Sequence, residues 1–315
     1  MSIAFVFPGQ GSQTVGMGKS FIEQFQAARL VMEEADEVLK QKLTNLILEG
    51  PQDELTLTEN TQPALLAISI AVLRTIEQET GKPAHQLTQF VAGHSLGEYS
   101  AHCAAGTFSL SDSLHLVRLR GQAMQKAVPI GKGSMAAILG LEIDQIEPLL
   151  KDFTKPDYLC VIANDNSPGQ IVISGHTKAV EEVNIKATET GAKRALILPV
   201  SAPFHSPLMY PAANVMDDAL EKTTICEPKI GVIANVTAMP LQGKEIIKDM
   251  LVKQITGRVR WRESIQNLVQ LETQHIIEIG AGKVLTGLNK RIDSNLNSFS
   301  INNPADMDEF FKLIT

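Results

Sequence analysis

VAGHSLGEYS, residues 91–100, is the stretch that decides the fold. It contains Gly-x-Ser-x-Gly, with Gly93 and Gly97 on either side of Ser95, which is the pattern of a nucleophile elbow. The serine of an elbow sits on a sharp turn between a strand and a helix, and the two glycines let the neighbouring backbone pack closely. Its hydroxyl then lies at a helix N-terminus, where free N–H groups and the positive end of the dipole favour an oxyanion.

The residues around the elbow have the composition that such a turn requires. Residues 89–92 form a short, partly apolar run that predicts the end of a strand, and residues 96–105 are rich in apolar and small side chains and predict a helix. The pattern by itself is only moderately specific, because an ordinary glycine-containing turn with a solvated serine has the same letters. Strand, turn and helix in this order favour a nucleophilic role for Ser95.

Composition and charge narrow the classes of protein. The chain has 315 residues, 44% of them hydrophobic and 20% charged, as in an ordinary globular enzyme of about two domains or one large α/β unit. The formal net charge of −7 argues against a nucleic-acid-binding surface over the whole molecule. We therefore expect no nucleic-acid partner.

Cysteines and apolar segments give expectations about location. Cys103, Cys160 and Cys226 are few and widely spaced, no pair has the spacing of metal ligands, and an odd number suits a reducing compartment. The N-terminus lacks the basic region of a signal peptide, and the longest apolar stretch, 64–73, is too short to span a bilayer. We expect a cytoplasmic protein with no membrane partner and no metal.

Periodicity and turn signals predict two domains, one inserted into the other. Residues 130–198 have the order βαββαβ, which is typical of a small ferredoxin-like α+β domain. Residues 1–129 and 199–315 alternate strands and helices and predict a large, discontinuous α/β domain with a parallel sheet, similar to α/β-hydrolases. The predicted strands are 2–7, 89–92, 133–139, 158–163, 170–174, 194–200, 231–235 and 275–279; the predicted helices are 17–40, 63–79, 96–105, 111–127 (capped by Ser111), 144–153, 177–190, 209–222, 243–254 and 261–270.

A catalytic serine needs a base, and His205 is the best placed of the seven histidines. It follows Ala202-Pro203-Phe204 after a predicted strand, where the small domain returns to the large one, at the mouth of the cleft expected between them. In an α/β-hydrolase an acidic residue lies between serine and histidine in the chain, and Asp165 is the aspartate in that interval outside a predicted surface helix or loop.

Arg120 stands out on the predicted helix 111–127. It lines up with Leu116 and Met124 on a less polar face, where an arginine needs a carboxylate partner. From the residues alone, that partner would be an Asp or Glu of this chain in a structural ion pair.

Five separated motifs resemble those of one family. They are GHSLGEYS (93–100), FVFPGQGSQ (5–13), NSPGQ (166–170), PFHS (203–206) and GKVLTGL (282–288). In this order they resemble the malonyl-CoA:acyl carrier protein transacylases, which are acyltransferases of fatty acid synthesis. The resemblance runs from residue 3 to beyond residue 290.

The resemblance implies a reaction and a set of site residues. Malonyl would pass from coenzyme A to Ser95, with His205 as base, and then to the phosphopantetheine thiol of acyl carrier protein, with no metal or redox cofactor. A backbone carbonyl near Gln254 would orient His205 in place of a carboxylate. The other implied residues are Arg120 for the malonyl carboxylate, the N–H groups of Gln10 and Leu96 as the oxyanion hole, and His94 and Asn164 as supporting residues.

Three rival functions stay open. A serine hydrolase or thioesterase on a similar elbow would release the acyl group to water. A transferase of another acyl group is the second rival, although Leu96 after Ser95 and Phe204 before His205 resemble the malonyl-selective pattern. A carrier-binding module without activity is the third.

Overall fold

The computed structural model describes residues 2–200 and 202–314. Strands β1 to β10, in chain order, are Ile3–Phe7, Phe90–Gly93, Gly133–Leu139, Thr154–Lys155, Tyr158–Ser167, Gln170–His176, Arg194–Ile197, Gly231–Ile233, His275–Ile279 and Asn297–Ile301. Helices α1 to α15 are Lys19–Gln24, Gln26–Leu39, Leu43–Glu49, Gln52–Thr56, Thr58–Thr80, Ala84–Leu87, Gly97–Ala104, Leu110–Lys126, Ile143–Ile146, Thr177–Glu189, Tyr210–Glu221, Ile247–Thr256, Trp261–Gln270, Val284–Ile292 and Met307–Ile314.

One sheet is parallel and has the order β10-β9-β1-β2-β8. Its central strand β1 is buried along its whole length because both faces of the sheet are covered. Ile3, Phe5 and Phe7 face the larger apolar core, which includes α5, and Ala4 and Val6 face a second core with α13 and α14. The parallel α/β class predicted from the sequence is thus confirmed.

The other sheet is antiparallel, with the order β4-β5-β6-β3-β7. Numbered along the chain, its four main strands lie in the spatial order 2-3-1-4, which is the ferredoxin-like arrangement expected for βαββαβ. Helix α10 packs on one face through Ala179, Val180 and Val183, in a separate apolar core. All of these strands fall between residues 133 and 197.

Several element boundaries differ from the sequence prediction. The helix predicted at 17–40 is two helices, because Phe25 adopts an extended conformation between α1 and α2. Ser109, not Ser111, caps α8, and its Oγ accepts a hydrogen bond from the Asp112 N–H at 3.0 Å. The predicted helix 144–153 ends early, since α9 passes into a 3₁₀ turn at Glu147–Leu150 that contains a proline.

The strand predicted at 158–163 is longer in the structure, because β5 continues to Ser167. Only Pro168-Gly169 turns the chain into β6, with Gly169 at φ 66°. The strands β4 and β10 and the helices α3, α4, α6, α14 and α15 were not predicted. No helix in the described ranges is long and apolar enough to cross a membrane.

Candidate active site

Ser95 lies on a tight turn between β2 and α7, with a φ of 54°. A Cβ atom on Gly93 would lie 1.9 Å from the carbonyl carbon of Gly97, and one on Gly97 would lie 2.3 Å from the carbonyl oxygen of Phe7. Neither atom can be accommodated, so both positions require glycine. The turn therefore has the close-packed, strained geometry of a nucleophile elbow.

His205 faces the serine from the loop after β7. Its Nε2 lies 2.7 Å from Ser95 Oγ, and its Nδ1 lies 2.9 Å from the carbonyl oxygen of Gln254 and 3.1 Å from that of Gly257. Two carbonyl acceptors at Nδ1 place the proton of the neutral ring there, which leaves Nε2 free to accept the serine proton. Burial, assisted by the positive charge of Arg120, lowers the pKa of His205 to about 3.

Asp165, the acidic residue that an α/β-hydrolase order would use, does not reach the histidine. Its Oδ2 accepts hydrogen bonds from Nε and Nη2 of Arg262, at 3.0 Å and 2.9 Å. This ion pair joins β5 to α13. The arrangement at Ser95 is a serine–histidine pair oriented by backbone carbonyls.

Arg120 comes from α8 and is 1% exposed. Its Nη2 donates to Gln254 Oε1 at 2.8 Å and lies 3.1 Å from Ser95 Oγ, and its Nη1 donates to Gln62 Oε1 at 2.8 Å. Its carbon Cζ lies 5.6 Å from the centre of the Tyr99 ring. Across the described ranges, Arg120 forms no ion pair with a carboxylate and its Nε has no hydrogen-bond partner. Burial lowers the pKa of this guanidinium, but an arginine stays protonated in proteins, so the site holds a buried cation without a directly bonded anion.

The two N–H groups expected to form an oxyanion hole both lie at the site. Within the part of the chain that the structure describes, neither the Leu96 nor the Gln10 N–H has a hydrogen-bond acceptor. The N–H of Ser95 itself donates to Asn235 Oδ1 at 2.8 Å and is therefore occupied. The side chain of Gln10 accepts from Thr58 Oγ1 at 3.0 Å, which ties the N-terminal loop to α5.

His94 and Asn164 connect the elbow with the second sheet in different ways. His94 Nε2 lies 2.8 Å from the side-chain oxygen of Asn166 on β5, and its ring lies 5.7 Å from that of Trp261. Asn164 lines the cavity and its backbone bridges to Val259. The polar link to the elbow thus runs through Asn166, and the motif NSPGQ (166–170) did not indicate this role.

Asn235 was missed by sequence reasoning, and it holds the elbow together. Its Nδ2 donates to the Gly93 carbonyl at 2.7 Å, and its backbone N–H donates to Glu98 Oε2 at 3.1 Å. It follows β8, the strand beside β2, at the carboxyl edge where parallel sheets carry their sites, so its position offered a signal. Glu98 and Gln62 were also missed by sequence reasoning. Gln62 lies within α5, and its sequence context gave no signal of a role at the site.

These groups surround a cavity of about 280 Å³ between the two sheets. Seven of the eight predicted site residues line it, and Gln254 lies behind them. Ser95, His205 and Arg120 provide its polar end, and the apolar walls include Met135, Val172 and Leu288. The arrangement suits an acyl group that carries a negative charge and is attached to a slender, partly apolar chain.

Among residues 2–200 and 202–314, no three His, Cys, Asp or Glu side chains lie close enough together to hold a metal ion.

Comparisons with known proteins show the family to which this chain is similar. The family model for the acyl transferase domain matches residues 4–298. A malonyl CoA-acyl carrier protein transacylase of Bacillus subtilis is 47% identical over 97% of this chain and 95% of that protein. The crystal structure of an acyl-carrier-protein-S-malonyltransferase from Bartonella henselae is 52% identical, with a TM-score of 0.96 over 99% of both chains. A malonyl-transacylase solved in complex with its type II PKS acyl-carrier protein is 40% identical, with a TM-score of 0.95 over 99% of this chain and 100% of that one.

Proposed function

The chain belongs to the acyl transferase domain family, and on that premise we propose that it transfers a malonyl group from coenzyme A to acyl carrier protein through an ester on Ser95. One observation carries the proposal. The buried guanidinium of Arg120, without an anionic partner in the described residues, lies 3.1 Å from the Oγ that is 2.7 Å from His205 Nε2. A nucleophile beside a cation that has no directly bonded anion suits an acyl group with a carboxylate.

In the first half-reaction His205 acts as the base. Its Nε2 takes the proton of Ser95 Oγ while Oγ forms a bond to the thioester carbon of malonyl-CoA. The resulting oxyanion accepts hydrogen bonds from the N–H groups of Leu96 and Gln10. When the carbon–sulfur bond breaks, the imidazolium returns the proton to the departing thiolate, and coenzyme A leaves with malonyl esterified to Ser95.

The second half-reaction reverses these steps with another thiol. His205 takes the proton of the phosphopantetheine thiol of acyl carrier protein, the sulfur attacks the ester carbon, and the proton passes to Ser95 Oγ as the ester bond breaks. Proton and electron counts balance in both halves with the two thioesters alone, so the proposed cycle requires no metal or redox cofactor.

Arg120 would bind the free carboxylate of malonyl. One N–H of Nη1 is engaged with Gln62, Nη2 donates to Gln254 Oε1 and lies within hydrogen-bond distance of Ser95 Oγ, and Nε has no partner among the described residues. Amide partners fix the plane of the guanidinium without neutralising it, which leaves its charge for the substrate.

We further propose domain boundaries at residues 130 and 198, with the cavity between the domains, and a cytoplasmic location.

Intact-mass spectrometry after mixing with malonyl-CoA tests the proposal. The wild type should gain the mass of one malonyl group and lose it on addition of acyl carrier protein, whereas Ser95→Ala should gain nothing. A Ser95→Ala protein that acquires the malonyl mass would exclude Ser95 as the nucleophile. Release of the group to water faster than to the carrier protein would identify a thioesterase instead.

A further inference from the structure

Glu98 is a buried carboxylate close to the nucleophile that the proposed mechanism does not use. It lies on α7, three residues after Ser95, and is 0% exposed. Its Oε2 accepts hydrogen bonds from Gln254 Nε2 at 2.8 Å and from the Asn235 N–H at 3.1 Å. Its Oε1 has no partner in the described part of the chain. Burial of a carboxylate is unfavourable unless hydrogen bonds or a nearby cation compensate it, and here the two donors to Oε2 supply the hydrogen bonds.

The side-chain amide of Gln254 connects Glu98 to Arg120. Its Nε2 donates to Glu98 Oε2 and to the Ser95 carbonyl, both at 2.8 Å, and its Oε1 accepts from Arg120 Nη2 at 2.8 Å. Two acceptors on one side require the NH₂ group there, and this directs the oxygen at Arg120. A flipped amide would place its NH₂ against the guanidinium, where no acceptor is available to it.

The orientation of the amide in turn fixes Arg120. The guanidinium is held by two amide oxygens, that of Gln62 at Nη1 and that of Gln254 at Nη2. Recognition of a carboxylate by two parallel hydrogen bonds depends on the plane of the guanidinium. A loss of order at Gln254 therefore reduces carboxylate recognition more than it reduces attack by Ser95.

We infer that Glu98 is a positioning residue for the substrate carboxylate, acting through the Gln254 amide on Arg120. This inference rests on the proposed function, because it presupposes a substrate with a carboxylate. The charge of Glu98 also raises the pKa of Arg120 and so opposes the effect of burial on that group. Burial in turn raises the pKa of Glu98 to about 7, and hydrogen bonds from Gln254 and Asn235 act in the opposite direction.

The first test measures kcat/KM for malonyl-CoA and for acetyl-CoA, which lacks the carboxylate. Glu98→Ala should lower the malonyl-to-acetyl ratio roughly 10- to 100-fold, the range for a lost hydrogen bond to a charged group. Glu98→Gln can present its oxygen to the same two donors and should restore the ratio to within about threefold. An Ala variant that lowers both substrates equally would reduce Glu98 to a structural residue and overturn the inference.

Glu278 provides a matched control. It is also a 0% exposed carboxylate, and it accepts hydrogen bonds from the N–H groups of Leu285 and Thr286 instead of from Gln254. Glu278→Ala should lower stability but leave the malonyl-to-acetyl ratio within about threefold. If it lowers that ratio as much as Glu98→Ala does, the effect is general to buried carboxylates and the inference fails.

A double-mutant cycle tests the route through Gln254. Gln254→Leu removes the amide but keeps the backbone carbonyl that orients His205, so it should lower the ratio as Glu98→Ala does. The double variant should be little worse than either single variant, because both interrupt one chain of contacts. Additive losses would show that Glu98 does not act through Gln254 and would overturn this route.

Glu98→Asp, which withdraws the carboxylate by one methylene, replaces Glu98→Ala if the latter does not fold. A wild type that never loads malonyl would refute the proposed function, a result distinct from all of these.

Discussion

The Nδ1 atom of His205 lies 2.9 Å from the backbone carbonyl oxygen of Gln254. In a serine hydrolase, the same atom of the catalytic histidine forms its hydrogen bond with a carboxylate. A carbonyl fixes the tautomer as a carboxylate does, but it stabilises the imidazolium less because it carries no full charge. Burial and the nearby Arg120 cation act in the same direction and lower the pKa of His205 to about 3. The ring is therefore held in the neutral form that accepts a proton.

The rate of Ser95 acylation should accordingly be independent of pH between about 4.5 and 6.5. A histidine with an ordinary pKa of about 6.5 would lose its neutral form over this interval as pH falls, whereas a pKa of about 3 leaves His205 unprotonated throughout. The measurement is the single-turnover rate of malonyl-serine formation across this range.

A rate that falls tenfold per pH unit below 6.5 would contradict the lowered pKa. The control is Glu98→Gln, because the pKa of Glu98 is raised to about 7 by burial. Any change in rate near pH 7 that disappears in this variant belongs to Glu98 and not to His205.

Gly93→Ala should destabilise the fold severely and remove activity with it. The added Cβ would meet the carbonyl carbon of Gly97 at 1.9 Å, so the turn that holds Ser95 must open. We expect a loss of at least about 3 kcal/mol in the free energy of unfolding, as for severe overpacking. Urea denaturation followed by circular dichroism provides the measurement.

Gly287→Ala is the matched control for this substitution. Gly287 lies in α14, and nothing lies within 4 Å of the Cβ that alanine would add. Because alanine favours a helix more than glycine does, this variant should gain about 0.5–1 kcal/mol. Equal destabilisation by both substitutions would remove the steric explanation of the elbow.

Local patterns predicted the parts of the fold in which spacing and periodicity express a physical constraint. The Gly-x-Ser-x-Gly spacing located the elbow because only glycine can occupy positions 93 and 97. The alternation over 133–197 predicted the small sheet, since strand order there follows from the sequence of elements. The strand predicted at 158–163 ended too early because the Asn and Asp residues at 164–166 favour isolated turns, yet they lie within β5, where tertiary pairing overrides that preference.

Contacts between distant segments were much less predictable. Asn235 binds Ser95 across 140 positions and Gln254 binds its carbonyl across 159, and no local pattern encodes such pairings. Asp165 fitted the chain order of a hydrolase triad, yet it pairs with Arg262. The resemblance to a family placed His205 and Arg120 at the site, whereas the hydrogen-bond chain through Glu98 emerged only from the coordinates.

Carrier-protein transfer should depend on exposed cations on elements that line the cavity. Leu198, just after β7, and Leu288 of α14 both lie on its wall. Lys193 and Arg194, around the start of β7, and Lys290, on α14, are exposed and, within the described ranges, form no ion pair. Acyl carrier protein is expected to be acidic, so such charges steer its approach. Charge reversal at Lys193 and Arg194, or at Lys290 with its neighbour Arg291, should slow the second half-reaction about tenfold at low salt while malonyl loading stays unchanged.

Lys186→Glu is the control for these reversals. Lys186 pairs with Asp152 at 3.6 Å and lies 4.7 Å from the centre of the Phe153 ring, so its charge already has partners near the antiparallel sheet. It should affect carrier transfer less than either double reversal. Unchanged transfer in both double variants at low salt would exclude this surface.

Arg120→Ala should alter which acyl group is accepted more than it alters stability. Malonyl-CoA differs from acetyl-CoA by a carboxylate, and the 1% exposed guanidinium of Arg120 is placed 3.1 Å from the nucleophile. Without it the substrate carboxylate is desolvated and unpaired, at a cost of about 2–5 kcal/mol. Malonyl transfer should therefore fall by about two to three orders of magnitude, while acetyl transfer falls much less. Measurement of kcat/KM for both thioesters decides the point.

Two further variants complete this experiment. Arg120→Lys should recover little, because an ammonium group cannot form two parallel hydrogen bonds to a carboxylate and cannot satisfy Gln62 and Gln254 together as the guanidinium does. Lys126→Ala removes an exposed cation from the same helix and should leave both substrates unaffected. Equal losses on malonyl-CoA and acetyl-CoA in Arg120→Ala would make the arginine structural, and the selection of malonyl would then have to come from the shape of the cavity instead of from its charge.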